Sequence, residues 1–243
     1  MNKLKRFYAN ENPNDGFFTL LGQEFTHAKN VMRLKESDQM IICCGDGFDY
    51  ACEICQVNKD NLICKVLSCA KNVCDPKVSV TLYQAQVKAD KFELITQKIS
   101  EIGATKIVPF TSEFCVVQAD LSAQKIERLN KIAVESAKQC GRSKPLEIEN
   151  SKDFDAVVRE LQTYDLVIFA YENANQEKIS QICGEYKNIA IIVGSEGGFS
   201  QNECKMLCAL KNVHCVTLGK RILRAETASI VSCALVMEKF ETN

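Results

Sequence analysis

Residues 189–200 read IAIIVGSEGGFS. The apolar run Ile189–Val193 has no polar alternation, as in a strand buried on both faces of a parallel sheet. Gly194, Gly197 and Gly198 follow at once, where they permit positive φ and close approach of another backbone or a ligand. Ser200 and Glu203 have capping-box spacing, which predicts a helix starting at Gln201 and running through Met206, Leu207 and Leu210. The stretch is strand, glycine loop, helix. Loops of that kind, outside the carboxyl ends of parallel strands, are where open α/β sheets bind ligands.

Working outward, strands and helices alternate from Val78 to the end of the chain. VSVTLYQAQ, KIVPF, LVIFAY and VHCVTL read as strands. KFELITQKISEIGA carries Phe92, Ile95, Ile99 and Ile102 at helical spacing, and SAQKIERLNKIAVESAKQC carries Ile126, Leu129, Ile132, Ala133 and Ala137. FDAVVREL and EKISQIC read as shorter helices. This alternation predicts an α/β domain over 78–243 with a mostly parallel sheet and helices on both faces. The last helix, ASIVSCALVMEKF, is apolar nearly all round, which predicts burial on every side, partly by a second copy of the chain. Residues 1–70 differ: MIICC, YACEICQV and LICKVLSC are short β-like runs between turn signals such as Gly45-Asp46-Gly47, suggesting a small antiparallel barrel or sandwich. KNVCDPK, residues 71–77, reads as a linker.

Composition bounds the function. The 243 residues carry 46% hydrophobic and 25% charged side chains with a net charge of −1, ordinary for a globular protein. The first residues, MNKLKRFYANEN, lack an apolar signal region and no segment approaches 18 apolar residues, so a cytoplasmic, non-membrane protein is expected. Of the fourteen cysteines, most have apolar neighbours and behave as small hydrophobes. The one Cys-x-x-Cys, Cys52 and Cys55, lies in a strand that sends the two side chains to opposite faces, so no metal site is expected. The near-neutral balance advertises no polyanion partner. Local basic clusters occur at Lys3, Lys5 and Arg6, at Lys88 and Lys91, at Lys138, Arg142 and Lys144, and at Lys220, Arg221 and Arg224; such clusters are more often solvated faces than nucleic-acid sites.

The glycine loop is not a phosphate loop, since no Lys-Ser or Lys-Thr follows, and it lacks the spacing of a dinucleotide fingerprint. It is a near miss to a nucleophile elbow, with Val193 in place of the first glycine and Ser195 as the nucleophile. Only His214 follows it, 19 positions on, so a serine hydrolase is a weak alternative. A second constellation, LGKRILRAETAS at 218–229, again follows a strand. Ile222 and Leu223 could wall an apolar ring while the cations face an anion, or could plug the core while the cations are solvated.

Together these segments carry a resemblance. VGSEGGFS followed by LGKRILRAETA resembles the paired carboxyl-terminal motifs of the ribosomal RNA small subunit methyltransferase E family, within the SPOUT class of methyltransferases. KISEIGATKIVPF, ESAKQCGRSKP and HAKNVMRLK resemble further segments of that family in the same order, so the resemblance spans nearly the whole chain. Two departures are Ser195 where the family usually has proline, and Ile102 where it has leucine. Losing the proline removes a φ constraint but no side-chain chemistry.

The resemblance implies an N-terminal PUA-like RNA-binding barrel and a C-terminal domain whose chain end forms a trefoil knot. It implies S-adenosylmethionine as cofactor, N3 of a uridine in 16S rRNA as the methyl acceptor, and a homodimer. By position, the cofactor is expected to meet Ala170, Tyr171 and Glu172; Gly194, Glu196 and Gly197; and Leu218, Gly219, Ile222 and Leu223. Arg224 is the expected stabiliser of the uridine anion, and Glu196 or Glu226 could take the proton, hold a ribose or cap a helix. Lys3, Lys5, Arg6 and Arg33 are expected to hold RNA phosphates, with Gln139 and Arg142 on the substrate side. A non-catalytic RNA-binding module is a further alternative.

Overall fold

A computed structural model describes residues 4–116, 121–171 and 177–241. The chain forms two compact units, 1–75 with 137–145, and 76–136 with 146–243.

The first unit is built on one five-stranded sheet. Its strands are β1 (Arg6–Tyr8), β2 (Phe17–Leu20), β3 (Gln39–Cys43), β4 (Phe48–Val57) and β5 (Leu62–Lys71), in the order β1-β3-β4-β5-β2. The pairing is antiparallel except for β1, which lies parallel to β3. Period-two alternation sends Met40, Ile42, Cys52, Ile54, Leu62 and Cys64 into a core with Phe7 and Phe18. Cys52 is buried there and Cys55 is exposed, so the two thiols do point apart. Between β2 and β3 lie α1 (Gly22–Thr26) and a π-helical turn, His27–Val31.

Residues 71–77 do not behave as one free linker. The Asn72 amide donates to Gly141 O at 2.9 Å and the Asp75 carboxylate accepts from Ser143 N at 2.8 Å, so the segment up to Asp75 is stitched to residues 137–145. The break expected at Asp-Pro is kept: residues 72–78 form neither helix nor strand, and the two units divide between Asp75 and Pro76.

The second unit holds a parallel sheet of β6 (Ser79–Ala85), β7 (Lys106–Thr111), β8 (Glu147–Ile148), β9 (Lys152–Asp153), β10 (Leu166–Ala170), β11 (Asn188–Val193) and β12 (Val213–Val216). The order is β12-β10-β11-β6-β7-β8, with β9 also beside β7. The quoted run is β11, central as its unbroken apolarity requires. Ile189, Ile191 and Val193 face one core layer with Leu82 and Ile168, whereas Ala190 and Ile192 face the other with Val108 and Phe169.

Helices cover both faces. Phe92, Ile95 and Ile99 of α2 (Ala89–Ile102), Leu129 and Ala133 of α3 (Ala123–Cys140), and Cys233, Val236 and Met237 of α6 (Ala225–Glu241) lie in the first layer. Val157 and Leu161 of α4 (Phe154–Leu161) with Cys204 and Leu207 of α5 (Gln201–Cys208) lie in the second. The capping box is present: Ser200 Oγ accepts from Glu203 N, and Glu203 Oε2 accepts from Ser200 N at 2.8 Å.

One expectation needs correction. EKISQIC is a single 3₁₀ turn, Ile179–Gln181, because its two buried anchors, Ile179 and Ile182, are spaced by three, and the chain is extended again at Ile182. Within the single chain, the apolar helix α6 buries one stripe from Ala225 to Phe240 and leaves Ala234 and Leu235 exposed.

Candidate active site

The carboxyl ends of β10, β11 and β12 carry three loops. At β10 the chain leaves through Ala170 and Tyr171, whose ring stacks on Phe169 with centroids 5.1 Å apart. Tyr171 N donates to Val216 O at 3.1 Å, tying the exits of β10 and β12 together. Beyond β12, Gly219 takes φ +118, a value L side chains rarely adopt, and its N–H donates to Thr217 Oγ1 at 3.2 Å. Ala170, Tyr171, Leu218, Gly219, Ile222 and Leu223 line one cavity there. All six come from the sequence reading; Thr217 and Ala228, also on its wall, do not. Ile222 is 84% exposed, an aliphatic side chain at the rim of the cavity. Glu172 lies outside the described residues.

The β11 loop is adjacent but does not line that cavity. Gly198 N donates to Ser195 O at 3.0 Å, closing a tight turn with Gly198 at φ +70. A Cβ on Gly197 would stand 2.8 Å from the Phe114 carbonyl oxygen, so glycine is required by a backbone neighbour. Behind the turn, Phe199 stacks on Phe110 at 6.2 Å and meets Phe169 edge-on at 5.2 Å. Ser195 is buried and its hydroxyl donates to Phe114 O at 3.3 Å. His214 Nδ1 lies 3.1 Å from Glu177 Oε1. The hydroxyl and the imidazole thus face different partners, and no nucleophile–base pair forms between Ser195 and His214.

Two residues that the sequence reading did not assign to the site hold the β11 loop. Gln84, fully buried at the end of β6, donates to Ala85 O at 2.9 Å and to Gly194 O at 3.4 Å, and accepts from the Ser229 hydroxyl of α6. Lys91, in the first turn of α2, lies 2.8 Å from Glu196 Oε1 and 3.7 Å from Glu226 Oε2. Burial alone would raise the Glu196 carboxyl, but the Lys91 hydrogen bond, with the charges of Lys91 and Lys88, holds it below its ordinary value. The Glu196 hydrogen bond likewise raises Lys91, while the nearby charge of Arg224 opposes that rise. Arg224 itself is exposed, and its carbonyl accepts from Ala228 N at 2.9 Å as α6 begins.

In the first unit, Lys5, Arg33 and Gln139 are exposed. Arg33 has φ +55 and lines an open groove with Lys29, Leu34, Lys35, Glu36 and Val57. Arg6 and Arg142 are placed otherwise than expected. Arg6 makes a two-pronged pair with Asp49, at 2.5 and 2.7 Å, and Arg142 is only 2% exposed, its carbonyl accepting from Tyr8 Oη at 2.6 Å. A guanidinium held bidentately by a carboxylate, or buried, is poorly placed to receive a phosphate. Lys3 lies outside the described residues. Among the described residues, no group of three or more His, Cys, Asp or Glu is arranged to hold a metal ion, and no helix is long and apolar enough to cross a membrane.

Comparison with known proteins agrees with this architecture. The family model described as "RNA methyltransferase domain" matches residues 74–237, and that described as "RNA methyltransferase PUA domain" matches residues 20–67. The chain is 33% identical over 233 residues to the ribosomal RNA small subunit methyltransferase E of Bacillus subtilis (strain 168), covering 92% of this chain and 91% of that one. It is 31% identical over 239 residues to the protein of the same name from Rickettsia conorii (strain ATCC VR-613 / Malish 7), covering 96% and 95%. The solved Neisseria gonorrhoeae ribosomal RNA small subunit methyltransferase E bound to S-adenosyl methionine superposes with a TM-score of 0.87 at 25% identity, covering 98% of each chain. With its parallel sheet, its PUA-like N-terminal unit and these matches along its length, the chain belongs to the ribosomal RNA small subunit methyltransferase E family of RNA methyltransferases.

Proposed function

We propose that the chain transfers the methyl group of S-adenosylmethionine to N3 of a uridine in the 16S rRNA of the small ribosomal subunit. The observation that carries this reading is the cavity where the β10 and β12 exits meet, walled by Leu218, Ile222 and Leu223 and followed at once by the exposed Arg224. Its residues fit the cofactor. The exposed aliphatic side chain of Ile222 offers an apolar face for an adenine ring, and the loop backbone at Ala170, Tyr171 and Gly219 offers donors and acceptors for the polar edges. Gly194, Glu196 and Gly197, in the neighbouring β11 loop outside that cavity, are assigned to the cofactor as well.

S-adenosylmethionine, when bound, supplies a sulfonium methyl with a good leaving group. The chain's own residues then have to align the uridine and help its N3 lose a proton. Arg224 is assigned to the anion that develops on the base. Glu196 is a weak proton acceptor, because Lys91 holds it ionised and below its ordinary value; its role is to fix the loop, and the proton passes to solvent. The base must be unpaired or flipped out to be reached. Lys3, Lys5, Arg33 and Gln139 are assigned to RNA, with Lys29 and Lys35 added from the groove around Arg33.

The trefoil knot is supported by the path of the chain. After β12, next to β10 at the sheet edge, the chain returns to pack α6 on α2, β6 and β11. A homodimer is supported by the exposed apolar face of α6 at Ala234 and Leu235. A cytoplasmic location follows from a ribosomal RNA substrate.

The test is methylation of small subunits from a strain lacking the activity, followed by mapping of the modified base. A mark on N3 of a uridine is expected; a mark on another atom or base overturns the assignment. Calorimetry with S-adenosylmethionine distinguishes an RNA-binding module without catalysis, for which no cofactor binding would be seen.

A further inference from the structure

Cys208, at the end of α5, and Cys215, in β12, stand with their sulfurs 3.1 Å apart. A disulfide needs about 2.0 Å, so a movement of about 1 Å joins them. The turn between them is fixed. Asn212 Nδ2 donates to Leu161 O and to Tyr164 O, both at 2.8 Å, and Leu210 N donates to Leu207 O at 3.1 Å. Cys208 is exposed and Cys215 partly so. Cys52 and Cys64, which also neighbour one another, are buried in the core of the first unit and closed to an oxidant.

We propose that Cys208 and Cys215 form a reversible modification site, at which a low-molecular-weight disulfide oxidises the pair to an intrachain disulfide that fastens α5 to β12. Cys208 is the entry thiol. Cys215 is pushed up to about 12, first by burial and then by its hydrogen bond with Cys208, so it stays protonated and responds second. The Cys208 thiolate attacks one sulfur of the oxidant RSSR, forming a mixed disulfide and releasing RS⁻. Cys215 then passes its proton to the released RS⁻ and its thiolate attacks the Cys208 sulfur; the Cys208–SR bond breaks, and the second RS⁻ takes up the proton that Cys208 gave to solvent. Two protein thiols and one RSSR become one protein disulfide and two RSH. Cys215 stands two residues before Thr217, so the bond anchors the strand from which the cavity loop departs. None of this depends on the methyl-transfer reading.

The test uses the full-length protein and oxidised glutathione, followed by trypsin digestion without reduction and mass spectrometry. Lys205, Lys211 and Lys220 make trypsin place Cys208 in MLCALK and Cys215 in NVHCVTLGK, so the bond appears as these two peptides joined. The joined pair is expected, abolished by dithiothreitol. Cys215→Ser is expected to trap a glutathione adduct on Cys208, and Cys208→Ser to leave Cys215 unmodified. A wild-type protein that stops at the Cys208 adduct, or that never joins the two peptides while other cysteines react, overturns the proposal.

Discussion

Lys91 and Glu196, 105 residues apart in sequence, are joined by a contact of 2.8 Å. The same ammonium reaches the Glu226 carboxylate at 3.7 Å, so one cation links the first turn of α2, the β11 loop and the first turn of α6. It also engages two carboxylates that would otherwise compete for the nearby Arg224. Lys91→Ala should therefore lower the methylation rate more than it weakens S-adenosylmethionine, whose affinity should fall about twofold to fivefold, as for a partly screened ion pair. Lys91→Arg should restore most of the rate. Single-turnover kinetics with calorimetry separates the two effects, and equal losses in both would argue against the shielding of Arg224.

The pair has a pH signature. A carboxyl held below its ordinary value contributes stability that is complete above that value, 4.5 for glutamate, and lost as the pH falls through the depressed one. Wild-type protein should exceed Glu196→Gln in stability by a constant margin from about pH 6 to 8, and the margin should shrink below the ordinary glutamate value and vanish once the pH has fallen past the depressed one. Thermal unfolding of both proteins across that range measures it. A margin that grows on acidification would refute the assignment.

Gln84 is a fully buried polar residue that ties the β11 loop to α6. Gln84→Leu leaves the Gly194 carbonyl without its buried donor and removes one of two acceptors of the Ser229 hydroxyl, which keeps Ala225 O. The cost should be about 1–3 kcal/mol, read as a fall in denaturation midpoint, with a looser β11 loop and weaker S-adenosylmethionine binding. A stability unchanged within error would show that these bonds are not formed.

Much of this was legible in the sequence, for reasons that differ by residue. Ile189–Val193 declared a central parallel strand because burial on both faces leaves no room for alternation. Ser200 and Glu203 declared the start of α5 because a capping box is local. Ile222 and Leu223 stood out as apolar residues in a basic loop, and Leu218 came from the family resemblance. The roles of Gln84 and Lys91 were not legible, the second showing only as half of a basic pair with Lys88, since their partners lie 110 and 105 residues away and depend on strand order. The burial of Arg142 and the capture of Arg6 by Asp49 were equally hidden, because a basic cluster in sequence carries no record of the carboxylates that folding brings to it.

Gly197 and Ser195 should respond in opposite ways to the same substitution. Gly197→Ala puts a methyl 2.8 Å from the rigid Phe114 carbonyl and should cost about 1–3 kcal/mol, with impaired cofactor binding. Ser195→Ala removes one hydrogen bond to that carbonyl, about 1 kcal/mol, and should leave methylation intact. Loss of activity in Ser195→Ala at unchanged stability would return the serine to the chemistry.

Arg224 carries the sharpest prediction for catalysis. It is exposed at the start of α6, so its removal should leave the fold unchanged. A guanidinium aimed at an anion that exists only as N3 deprotonates acts on the transition state, so Arg224→Ala should lower the rate constant by about 10²–10³-fold, as for loss of one preorganised donor. S-adenosylmethionine affinity should change little, because Arg224 is not on the wall of the cavity. Arg224→Lys, which keeps the charge but not the fork, should recover part of the rate. If Arg224→Ala instead weakened cofactor binding with the rate at saturation unchanged, the arginine would belong to the cofactor site, and another cation would have to face the uridine.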